Sequence, residues 1–117
     1  VSKITHAISG ELYDDLRHGT ALDDGEGEHE SWGYGSSRLV DVEVWRMVHE
    51  AFVRKHGVGR RATMTGSPAA WIAIRDYARD RAEMELLLDG DFDRGMGRRL
   101  LKQVDAINTA LPIETQS

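Results

Sequence analysis

The sequence predicts an all-α protein, a small four-helix, mostly antiparallel bundle with a long acidic, glycine-rich loop between helices 1 and 2. Three observations predict it. Apolar residues recur at three- and four-residue spacing in four separate segments. No alternation of period two outlasts Val40-Asp41-Val42-Glu43-Val44, and that run continues into a helical stripe, so a sheet is not expected. The two prolines, Pro68 and Pro112, fall where helices would begin and end. At 117 residues, 40% hydrophobic and 30% charged, the chain is expected to form a single helical domain, 1–117, around one core.

The first helix is read over residues 3–17, where Ile4, Ile8, Leu12 and Leu16 stand four apart, with Gly10 as an interruption. The connector over 19–37 holds five glycines, five carboxylates, Trp32 and Tyr34, and no Lys or Arg. Its self-repelling carboxylates among glycines cannot bury enough apolar area to offset ordering, so its first part is expected to be solvated. The second helix, 37–56, repeats Val40, Val44, Met47, Val48 and Ala51, with Trp45 and Phe52 widening that face and Gly57 as the stop. Residues 62–65 read as a short extended piece. Ser67-Pro68 opens the third helix, with an N-cap hydroxyl followed by proline at the first helical position. That helix runs to about Leu88, with Trp71, Ile74, Tyr77, Ala78, Met84 and Leu88 as its apolar face. The fourth starts near Asp91 or Asp93, presents Met96, Leu100, Val104, Ile107 and Leu111, and is weakened in its first turns by Gly95 and Gly97.

Composition bounds the function. Absence of cysteine removes disulfides, thiolate zinc sites and thiol catalysis, and makes a cytoplasmic protein the expectation. No run is long and apolar enough for a membrane span, and the N-terminal residues lack the apolar stretch of a signal peptide. Twelve Arg against three Lys, with abundant Gly, Ala, Asp and Val, point to a high-GC bacterium or its phage. The net charge of −5 is unevenly spread: residues 1–37 carry −6 and residues 38–117 carry +1. Residues 51–75 contain five basic side chains and no carboxylate.

Several motifs bear on chemistry. The acidic run Asp23, Asp24, Glu26, Glu28, Glu30 lacks the register of a calcium loop, and so does Asp89-Gly90-Asp91-Phe92-Asp93, whose aspartates read as helix caps. His49 and His56 stand seven apart, against the three or four of a helical metal pair. No metal or cofactor is therefore expected. Arg81 falls mid-face on the third helix with Glu85 one turn on, an arrangement for a structural ion pair. Gly-x-Gly-Arg-Arg occurs twice, at Gly57 to Arg61 and Gly95 to Arg99; paired guanidinia match phosphate oxygens, but the flanking sequences do not align, and the repeat reads as a helix-ending and a helix-opening motif that coincide in preference to a paired phosphate site.

The leading functional expectation is a non-enzymatic protein-binding module, an adaptor or inhibitor acting as monomer or homodimer. It would engage its partner through Trp32 and Tyr34, flanked by Asp23, Asp24, Glu26, Glu28 and Glu30, as aromatic anchors inside a polar rim. The alternative is a nucleic-acid-associated regulator using Arg54, Lys55, Arg60, Arg61, Arg98 and Arg99. An enzyme comes third, because no nucleophile is paired to a base by motif.

Overall fold

The computed structural model describes residues 3–19, 41–54, 60–88 and 90–116, with backbone alone for 91–93. Its elements follow in the order β1 (Ile4–Ile8), α1 (Gly10–Gly19), α2 (Val42–Val53), β2 (Ala62–Gly66), α3 (Pro68–Leu86), α4 (Asp91–Ala110) and a final 3-10 turn, Ile113–Thr115. The fold is thus mostly helical, with four helices and one small sheet. The connector residues 20–37, with the acidic run, Trp32 and Tyr34, lie outside the described residues, as do Lys55, His56, the Gly57 stop and Asp89.

The sheet corrects the reading of the N-terminal segment. β1 and β2 pair antiparallel, with Ile4 opposite Gly66, His6 opposite Met64 and Ile8 opposite Ala62. Ile4 and Ile8 satisfy either period, since a spacing of four fits both one helical turn and two strand repeats. Pairing with β2 decides for the strand. Along β2 burial alternates strictly, Ala62, Met64 and Gly66 buried and Thr63 and Thr65 exposed. Gly10 does not interrupt a helix; it begins one. Ser9 precedes it, accepting from Tyr13 N at its carbonyl and from Leu12 N at its hydroxyl.

Inside the chain the helices fall where their signals stand, with two corrections: α2 begins at Val42, not at 37, because Asp41 is extended and caps it, and α4 has Gly90, not an aspartate, at its N-cap with no side-chain hydrogen bond there. Asp41 caps α2 through Val44 N (2.9 Å), and Ser67 caps α3 through Ala70 N (3.2 Å) with Pro68 in the first turn. The two caps are coupled. Glu43, in the first turn of α2, takes both Ser67 N (2.9 Å) and Ser67 Oγ (2.6 Å), which ties the starts of α2 and α3 together. Those two bonds hold the Glu43 carboxyl below its usual pKa.

The core joins all elements. Ile8, Leu12, Leu16, Val44, Met64, Trp71, Ile74, Leu100 and Ile107 are each fully enclosed. Trp71 anchors β1, donating Nε1 to Ile4 O (2.9 Å) and meeting the His6 ring in a T-shaped contact. α3 and α4 run antiparallel, with Ala82 and Leu86 against Gly97 and Arg75 bonded to Asn108. A Cβ at Gly97 would stand 2.7 Å from Leu86 Cγ and 3.0 Å from Ala82 O, so the glycine that weakens the helix locally is what lets the two helices approach. Three residues expected on apolar faces stand apart from the core: Trp45 is 37% and Phe52 48% exposed, and Leu88, past the end of α3 at Leu86, is 50% exposed.

Candidate functional site

Three polar or aromatic constellations stand out among the described residues. The first is the Arg81 cluster. Arg81 Nε reaches both carboxylate oxygens of Asp15 (3.1 and 3.0 Å), its Nη2 pairs with Glu85 (2.9 Å), and Tyr77 donates its hydroxyl to Asp15 (2.8 Å). Burial first, then the Asp15 charge, pushes the Tyr77 phenol well above its ordinary pKa. Each group is committed to another, and the cluster pins α1 to α3. This is the ion pair expected from Arg81 and Glu85, with Asp15, which no local spacing announces, as the third member.

The second constellation is the outer face of α2. Val44, Met47, Val48 and Ala51 turn inward, while Val42 (60% exposed), Trp45, Phe52 and Val53 (62% exposed) turn outward. His49 stacks on Trp45 with ring centres 4.9 Å apart, and the Arg17 guanidinium from α1 lies over Phe52 at 4.5 Å. Arg17, Trp45, Val48, His49 and Phe52 line a shallow cleft of about 180 Å³. His49 therefore serves as an aromatic platform here. The residues were visible in the sequence, and the missed signal was their spacing: 42, 45, 49 and 52 alternate three and four along a line beside the core stripe.

The third is basic. Ser9, Gly10, Glu11, Arg61, Arg99, Lys102 and Gln103 line a depression of about 410 Å³ where the end of the β-ribbon meets α1 and α4. One arginine from each Gly-x-Gly-Arg-Arg motif is there. Arg99 forks onto Glu11 through Nε (3.0 Å) and Nη2 (2.9 Å), and Arg61 makes a long bond to Ala7 O (3.4 Å). Gln103 accepts from Ser9 N through Oε1 (2.9 Å). Arg54, Arg60 and Arg98 are exposed and do not line the depression; Arg54 is bonded to Thr63 O (2.7 Å). Lys102, overlooked in the sequence, follows Arg99 by three positions and so shares its side of α4.

Comparison with family models, curated proteins and solved structures gave no match. Among the described residues no three His, Asp or Glu side chains form a metal set, and no helix is long and apolar enough to cross a membrane.

Proposed function

We propose that this protein is a non-enzymatic binding module that docks an amphipathic helix of a partner protein on the outer face of α2. The observation that carries the reading is that α2 has, beside its buried apolar stripe, a second apolar stripe that is exposed. Its inner stripe fills the core, while Val42, Trp45, Phe52 and Val53 leave a second one open. An exposed apolar stripe on a helix whose remaining face, with Glu43, Arg46 and Glu50, is charged marks a contact surface, so the outer stripe calls for a cover. Alternating three- and four-residue spacing is the seam that another helix packs against, and a tryptophan within such a seam is a common binding hot spot. The polar groups gathered at Arg81 satisfy each other, which favours binding over catalysis. The connector ends three residues short of Asp41, the cap of α2, in the sequence, so Trp32, Tyr34 and the neighbouring carboxylates enter the same proposal as its sequence-based part.

The test is capture from an extract of the source organism, with and without nuclease, using wild-type bait and a Val42→Asp/Val53→Asp bait. Both valines are mostly exposed, so the variant should melt with the wild type. One protein retained in stoichiometric amount by the wild type under both conditions, and lost from the variant, supports the reading. Equal retention by both baits, or none by either, refutes it.

A further inference from the structure

We infer that the depression bounded by Arg61, Arg99 and Lys102 binds a compact phosphate-bearing anion, such as pyrophosphate or a sugar phosphate. Among the described residues, Arg61 from beside β2 and Arg99 and Lys102 from α4 converge there against one carboxylate, Glu11, in a chain whose net charge is −5. That local inversion of sign is the feature a solvated surface does not require. Among the described residues Lys102 has no carboxylate partner, and Arg61 has only its long bond to Ala7 O. Like-charged side chains left this close gain from an anion between them.

Glu11 shows how Arg99 would be used. Its carboxylate takes the guanidinium in a two-pronged grip, the geometry in which arginine also holds phosphate. The Arg99 side chain is 54% exposed, and exposed ion pairs contribute little, so a multiply charged ligand also touching Arg61 and Lys102 can displace the carboxylate. Gln103 is fixed by Ser9 N through its oxygen, which leaves its amide nitrogen as a further donor on the same wall. The ligand class follows from size and lining. About 410 Å³ accommodates a small molecule, and among the described residues no aromatic side chain lines the wall to offer a nucleobase a face to stack on. A compact polyanion fits better than a nucleotide or a strand.

The experiment is calorimetric titration of pyrophosphate into the full chain at low salt. Wild type is compared with Lys102→Gln, Lys102→Arg, Arg61→Gln, Glu11→Gln and, as a charge-matched control outside the depression, Arg98→Gln. Lys102→Gln and Arg61→Gln should each weaken binding about tenfold, as expected for losing a hydrogen bond to a charged group. Lys102→Arg should stay within about threefold and Arg98→Gln within about twofold, by the same reckoning. Glu11→Gln should tighten binding, since it removes the competing carboxylate and releases Arg99. The inference is overturned if pyrophosphate does not bind at millimolar concentration, if Arg98→Gln weakens binding as much as Lys102→Gln, or if Glu11→Gln leaves it unchanged. It is also overturned if single-stranded oligonucleotides bind more tightly than pyrophosphate and tighten with length, which would assign the cations to a nucleic-acid backbone.

Discussion

Gly95 and Gly97 lie two residues apart near the start of α4, and replacing each by alanine should move stability in opposite directions. Alanine is better than glycine in a helix interior by about 1 kcal/mol, and both positions would collect that gain. They differ in what the new methyl meets. At Gly95 the nearest atom is Arg99 Nη1 at 3.1 Å, the far end of a flexible side chain that can move aside. Gly95→Ala should therefore stabilise by roughly 0.5–1 kcal/mol. At Gly97 the methyl meets Leu86 Cγ at 2.7 Å, Cδ2 at 2.9 Å and Ala82 O at 3.0 Å. Cγ is a branch point and the oxygen is backbone, so neither yields by a simple rotation, and α3 and α4 must part. Overpacking of this kind costs about 1–3 kcal/mol. With two unyielding contacts we take the upper end, less the helix gain, for a net loss of about 2 kcal/mol. At about 4 °C per kcal/mol for a domain of this size, Gly97→Ala should melt about 8 °C below the wild type and Gly95→Ala about 3 °C above it. Urea unfolding followed by tryptophan fluorescence gives the same comparison in free energy, provided the denaturant slopes agree. Gain of stability in both variants would refute the close approach of α3 and α4 at Gly97.

Ser67→Ala should cost about 2–3 kcal/mol, the sum of a lost N-cap of about 1 kcal/mol and a lost bond to the Glu43 carboxylate. A double-mutant cycle with Glu43→Gln should show coupling at pH 7. Because the folded Glu43 carboxyl sits below its usual pKa, that coupling is present above pH 4.5 and is lost as pH falls through the lowered value, so coupling undiminished at pH 2 would contradict it. His6 gives a second pH dependence. Its Nε2 is buried with no hydrogen-bond partner, and burial, then the Arg61 charge, holds its pKa below 6.5. The unfolded chain takes up a proton that the folded chain refuses, so stability should decline as pH falls below 6.5, and His6→Phe should flatten urea midpoints between pH 7.5 and pH 5. Asp15→Ala strands both Arg81 and Tyr77 and should cost about 2–3 kcal/mol, with Glu85 still holding the guanidinium, whereas Tyr77→Phe should cost only about 1 kcal/mol; equal losses in urea titrations would deny Asp15 its central place.

What could be read from the sequence was what local chemistry decides. Ser67-Pro68 set the start of α3, and the stripe Leu100, Val104, Ile107 and Leu111 placed the inner face of α4 where it lies. β1 escaped because its evidence is not local: Ile4 and Ile8 fit both periods, and the partner that decides between them, β2, begins at Ala62. The outer face of α2 was misjudged for a different reason. Trp45 and Phe52 adjoin the inner stripe in angle, so they read as a broad core face, and the sequence does not say where along such a face burial ends. Asp15 was missed as the partner of Arg81 because their meeting depends on α1 crossing α3, and the charges alone carry no record of that.

The element hidden from periodicity is also the one that builds the basic depression. Pairing of Ile8 with Ala62 ends the ribbon with Ser9 and Arg61 as the next residues on the two strands, and Gln103 of α4 holds Ser9 by its backbone nitrogen. That bond brings the Arg99 and Lys102 side of α4 beside Arg61. The repeated Gly-x-Gly-Arg-Arg motif thus acquires meaning only through strand register. A slip of one residue in β2 would turn Arg61 towards the core and Ala62 towards solvent, since side chains alternate faces along a strand. The strict burial pattern of Ala62, Met64 and Gly66 opposes that slip, because it would expose Met64 and force Thr63 and Thr65 inward. Packing of the ribbon's inner face is therefore what fixes the position of a cation on its outer end, and the two glycine-arginine motifs divide between them: Arg61 and Arg99 share a site, while Arg60 and Arg98, one residue earlier in each, do not line it.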